Sequence, residues 1–218
     1  MKKFFVNQLV IAALAVVAAF TSCDKDKDKD ENGGSTVDEI TAEKVENAAD
    51  FSDVKTVKLM SYDGNESVEI ASADFTDGGF TLDLPATVAS KYPITYIFGD
   101  QRKDIPSNVT VSNKNAKILQ GVGSIHGLNS DGEIIAHFHY MKEEGNTVYG
   151  TYWTYTDSDV IINGTETFEI DAYSKIYSLA LKKGWNVVYA SETETKAELK
   201  TTPISGLKWV GYRLDDEN

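Results

Sequence analysis

Apolar and polar residues follow two different patterns along this chain. From Leu9 to Phe20 (LVIAALAVVAAF) the residues are apolar without a break, with Lys2 and Lys3 before them and Thr21-Ser22 after. From Val54 onward, short runs rich in Val, Ile, Thr, Tyr and Phe are broken every few residues by Gly, Asn and Asp. That second pattern predicts β-strands joined by tight turns. Strands are expected over 56–62, 67–71, 80–84, 94–98, 116–125, 134–141, 147–155, 160–162, 165–170, 175–181, 185–191, 196–202 and 207–213.

The turn residues sharpen this. Asp63-Gly64-Asn65, Asp77-Gly78-Gly79, Ser130-Asp131-Gly132, Glu144-Gly145-Asn146 and Lys183-Gly184 all sit between apolar runs. Asn163-Gly164 supplies the positive φ angles of a type I′ turn and predicts a hairpin joining 160–162 directly to 165–170. Nearly all links are of hairpin length, so the expected fold is all-β, an antiparallel meander, with βαβ winding excluded. So many strands in one flat sheet would leave long edges, so the meander should form a β-sandwich or a partly closed barrel. Residues 37–50 fit neither period for long and leave a first strand or a short helix open. Residues 36–218 suit one domain by length, with a split into two lobes near 99–106 as the other option.

The N-terminal run reads as an address. Its twelve residues rise about 18 Å as a helix, too short for a hydrocarbon core of about 30 Å. With two lysines ahead of it, segment 1–22 is expected to be a secretory signal. Cys23 is the only cysteine, so an exported chain would carry an unpaired thiol. Phe20-Thr21-Ser22-Cys23 resembles a lipobox, which implies lipidation at Cys23 and anchoring of the mature protein to a membrane through its N-terminal lipid.

Behind the cysteine, residues 24–31 read DKDKDKDE and are followed by Asn-Gly-Gly-Ser. Nothing there can be buried, so 23–35 is expected to be a hydrated linker. Asp24, Asp26 and Asp28 imitate the opening of an EF-hand, but Lys29 stands where that loop needs glycine and Ser35 where it needs glutamate. Calcium binding in the linker is rejected. An acidic stretch after the lipid-bearing cysteine resembles the export signal of surface-exposed lipoproteins, and implies an outer-membrane, cell-surface location.

Within the domain, VKTVKLMSYDG, EIASADFTDGGFTLDLP and LALKKGWNVVY resemble uncharacterised domains of Gram-negative surface lipoproteins. The resemblance implies an all-β fold and a surface location and carries no activity.

Candidate chemistry is sparse. His137 and His139 lie two apart in an expected strand, so both should project from one face, where two imidazoles can converge on zinc or a similar ion. His126, Glu133, Glu143 or Glu144 would have to supply a third ligand; the plain alternative is the polar face of a half-buried strand. Tyr149, Trp153 and Tyr155 share a face of the next strand and could stack on sugar rings, or equally fill a sandwich core. A closed barrel would offer a third option, a cavity for a lipid or other small apolar ligand.

Thiol catalysis and cysteine metal sites are excluded, and no Gly-x-Ser-x-Gly elbow occurs. A net charge of −13 argues against nucleic acid as a partner. No cofactor is called for. The sequence therefore predicts a non-enzymatic binding or structural module on the outer membrane. A glycan-binding protein and a metal-dependent enzyme or carrier stand as alternatives.

Overall fold

The computed structural model describes residues 36–63, 66–89, 92–99, 102–168 and 172–214. The signal segment, Cys23 and the acidic linker lie outside the described residues. What is described is nearly all β, sandwich-like and not closed into a barrel.

The chain begins with β1 (Glu39–Ala42), a 3-10 helix (Ala48–Phe51), β2 (Thr56–Asp63), β3 (Glu66–Asp74) and β4 (Phe80–Asp83). It continues through β5 (Tyr92–Pro93), a second 3-10 helix (Ile94–Phe98), β6 (Val109–Val111), β7 (Lys117–Val122) and β8 (Ile125–Leu128). The long strands follow: β9 (Ile134–Glu144), β10 (Thr147–Thr156), β11 (Val160–Phe168), β12 (Tyr173–Leu181) and β13 (Gly184–Glu192). Two more, β14 (Lys196–Lys200) and β15 (Lys208–Arg213), complete the set.

A fork organises these strands. The β9–β10 hairpin is zipped only from its turn to Met141 and Gly150. Beyond that point β9 takes β8 as its neighbour, while β10 takes β7. β7 and β8 are consecutive, so the chain crosses between the two arms at Gly123-Ser124. One arm is β3-β2-β8-β9 with β15 on the far side of β9; the other runs β7-β10-β13-β14-β12-β11-β6. The arms enclose a first core. Val57, Leu59, Ile125, Ala136, Phe138 and Trp209 come from one arm and Leu119, Val122, Trp153, Tyr155 and Trp185 from the other. The ribbon of β1 and β4 adds Ile40, Ala42, Phe80 and Leu82.

Strand alternation gives the second arm two buried faces. On β7, Leu119 enters the first core and Ile118 a second; on β13, Trp185 enters the first and Val188 the second. The second core is completed by Ile94 and Phe98 of the 3-10 helix and by Val109, Val111, Val160, Ile162, Tyr177, Leu179 and Leu181.

Several expectations need correction. Asn163-Gly164 is not a turn: β11 runs straight through it, paired along its length with β12. Gly164 has φ 137°, and a Cβ there would clash with the Asn108 carbonyl oxygen. The glycine serves a close approach of the chain entering β6, and the reversal falls near Ala172, at φ 49°. Residues 94–98 form a 3-10 helix rather than a strand, with Ile94 and Phe98 both buried in the second core. The expected strand 116–125 breaks at the fork. The pattern is not purely antiparallel either, since β12 and β14 pair in parallel. Residues 37–50 contain both candidates, a strand and then a 3-10 helix.

Candidate functional site

The three histidines of the sequence gather on the outer face of the first arm. Register places His126 of β8 directly opposite His137 of β9, and Tyr212 of β15 opposite His137 on its other side. Alternation turns Ile125 and Phe138 into the core and the histidines away from it. The His126 and His137 ring centroids are 4.7 Å apart at 88°, and those of His137 and His139 are 6.4 Å apart. His139 Nδ1 lies 3.2 Å from the Gly123 carbonyl oxygen at the fork.

His126 is 5 % exposed, and its Nδ1 is buried with no hydrogen-bond partner. Burial, and then the proximity of His137 and His139, push its pKa down to about 4. His139 is also held below its ordinary value, by burial first and by His137 second, against the opposing bond to Gly123. Burial, helped by the charge of Glu143, lifts the Tyr212 hydroxyl to about 12. Two neutral imidazoles and a neutral phenol therefore line this face at pH 7.

His137 and His139 do share a face, as the strand period requires. Among the described residues, however, no three His, Cys, Asp or Glu side chains are assembled to hold an ion together. Glu133 is engaged with Asn129 in its turn, and Glu144 with Lys142. His126, one of the third ligands the sequence offered, stands directly across from His137. Only strand register could show it.

The aromatic row Tyr149, Trp153 and Tyr155 does not form an open platform. Trp153 and Tyr155 are each 4 % exposed in the first core, where Trp153 stacks on Trp209 at 5.7 Å and Tyr155 meets Trp185 edge-on. The fork is the reason: beyond Gly150 this face of β10 is covered by the other arm. Tyr149, on the zipped side of the fork, stays half-buried beneath the Lys142 ammonium.

Open aromatic surface lies on the reverse face of the same strand. There a cleft of about 280 Å³ crosses β10, β13, β14 and β12. Ile118, Val188, Ala190, Ala197 and Leu199 make an apolar lining; Tyr96, Tyr152 and Tyr173 add rings, and Lys175 and Glu192 add charges of opposite sign. The Tyr173 hydroxyl donates to Glu192 at 3.0 Å, and burial with that bond raises its pKa to about 12. Burial and the Glu192 charge raise Tyr152 as well. Tyr152 packs on the backbone of Gly123, where a Cβ would come within 2.8 Å of its ring. Glycine at the fork thus lets the ring lie flat beside the cleft. The alternating residue Tyr152, between the two rings singled out by the sequence pattern, was the signal available for this site.

Compared with protein-family models, with curated proteins and with solved structures, the chain has no significant match.

Proposed function

We propose that this protein is a lipid-anchored, outer-membrane binding module that holds a sugar ring in the cleft beside Tyr152. The reading rests on one observation: three tyrosines and an apolar lining share a cleft with one ammonium and one carboxylate. A pyranose has a flat face of C–H groups that suits an aromatic ring, and an edge of hydroxyls that suits charged hydrogen-bonding groups. In this reading Tyr152 is the stacking surface, Glu192 accepts from sugar hydroxyls, and Lys175 donates to them. Preformed rings lose little conformational freedom on binding, which favours a rigid platform over flexible chains. The assigned role is retention of a ligand, without chemistry on it.

The anchor is proposed from Phe20-Thr21-Ser22-Cys23 and the acidic linker behind it, which would hold the cleft away from the bilayer at the cell surface. Two measurements test the whole. Calorimetric titration with a panel of neutral and acidic oligosaccharides should find a binder that Tyr152→Ala weakens at least tenfold and Glu192→Gln by less. A panel without a binder, or one bound equally by Tyr152→Ala, overturns the sugar reading. Cys23→Ala should abolish incorporation of labelled fatty acid and release the protein from the membrane fraction; retention of both would overturn the anchor.

A further inference from the structure

The histidine face contains an unusual feature that the cleft does not explain. A buried side-chain nitrogen without a partner forfeits a hydrogen bond it would have made in water, and native proteins seldom leave one so unless an ion, a water or a chemical role accounts for it. His126 Nδ1 is such an atom, on a side chain that faces His137 directly across the β8–β9 ladder. The geometry points to a binding site for a divalent transition-metal ion with His126 and His137 as its two protein ligands and solvent in the remaining positions.

Two features support it. Two imidazole nitrogens each about 2.0–2.1 Å from a tetrahedral ion place their ring centroids about 5 Å apart. His126 and His137 stand at 4.7 Å, with their planes nearly perpendicular. The charged neighbours on β2 and β3 are already committed: Lys58, opposite His126, is paired with Glu69 at 2.7 Å, and Glu69 also accepts from Ser72.

His139 stands further off, 6.4 Å from His137, with Nδ1 near the Gly123 carbonyl. It flanks the pair rather than completing it. With two nitrogen ligands and no carboxylate, the site favours imidazole-seeking ions, Cu²⁺ most strongly and then Zn²⁺ or Ni²⁺, over oxygen-seeking Ca²⁺ and Mg²⁺.

The test is calorimetric titration of the full mature chain, stripped of metal, with CuCl₂, alongside paramagnetic resonance of the Cu²⁺ complex. One ion per chain is expected, with a spectrum of two imidazole nitrogens and no competition from Ca²⁺ or Mg²⁺. His126→Phe and His137→Phe, which keep a ring in each place, should each weaken binding at least tenfold, while His139→Phe stays within about threefold of the original. Thermal melts of the apo variants establish that each is folded. The assignment is overturned if the wild-type chain binds no Cu²⁺. It is equally overturned if the folded double variant His126→Phe/His137→Phe binds with unchanged affinity and spectrum, since the acidic linker or another surface would then hold the ion. Neither result bears on the sugar reading, which concerns the opposite arm of the fork.

Discussion

The two cores on either side of β7 and β13 are filled differently. The first holds Phe51, Phe80, Phe138, Trp153, Tyr155, Trp185 and Trp209, which include every tryptophan of the chain. The second holds Phe98 and Tyr177 among aliphatic side chains. The fork explains the contrast. Two arms that diverge leave a wedge that widens away from the join, and large rings can span it. A sheet curling back on itself leaves a narrower space that Val, Ile and Leu fill. The second core also takes in a charge: Glu166, 6 % exposed, meets Arg102 at 2.6 Å and accepts from the Tyr177 hydroxyl at 3.3 Å. That cluster ties the segment after the 3-10 helix to β11 and β12 where ring packing is thin.

The largest effect is expected at the centre of the first core. Phe138 is fully buried against Phe51, Phe75 and Phe80, with centroids 5.2, 5.2 and 6.0 Å away. Phe138→Ala should cost about 3–5 kcal/mol in urea unfolding. A loss under 1 kcal/mol would mean that the wedge is not packed as described.

Acid should act next, through the outer skin of that same core. In the folded state the His126 pKa lies near 4, below its ordinary 6.5, so the unfolded chain binds more protons in that interval. Stability is therefore fully present above about pH 6.5 and drains as the pH falls toward 4, by about 2–3 kcal/mol. His126→Phe should flatten that slope in the metal-free chain, measured by urea midpoints across the range; an unchanged slope would place the titration elsewhere. The bidentate pair of Asp53 with Arg213, which holds the Asp53 carboxyl near 2, adds a separate loss only at lower pH.

Smaller effects belong to the second core. Gly164→Ala forces a Cβ against the Asn108 carbonyl at a φ that L residues avoid, and should cost about 1–3 kcal/mol. Glu166→Gln removes the charge that Arg102 meets. A fully buried pair would lose more, but Arg102 is 36 % exposed, so the thermal shift should correspond to about 1–2 kcal/mol. The last expectation is a null one. Tryptophan fluorescence reports the first core alone, whereas far-UV circular dichroism reports both. Because β7 and β13 contribute to both cores, the two urea midpoints should coincide. Separate midpoints would show that the shared strands do not couple them.

Much of this molecule was legible before folding. The period-two pattern located most strands within a few residues, and Gly78, Gly132, Gly145 and Gly184 take the positive φ angles that their turns require. The failures have physical causes. Gly164 has the composition of a turn, yet it was selected by a carbonyl from a distant segment. The 3-10 helix at Ile94 carries β-branched and aromatic residues like a strand, and its winding is set by the second core that receives Ile94 and Phe98.

The sequence by itself determined which side chains share a strand face, because alternation is a local property of extended backbone. It paired His137 with His139, and Trp153 with Tyr155, on that ground alone. What each face meets was decided only by tertiary structure. Strand register brought His126 across from His137, and the parting of β9 from β10 buried Trp153 and Tyr155 while leaving Tyr152 beside an open cleft. Register and fork depend on contacts between residues far apart in the chain, and no local pattern encodes them.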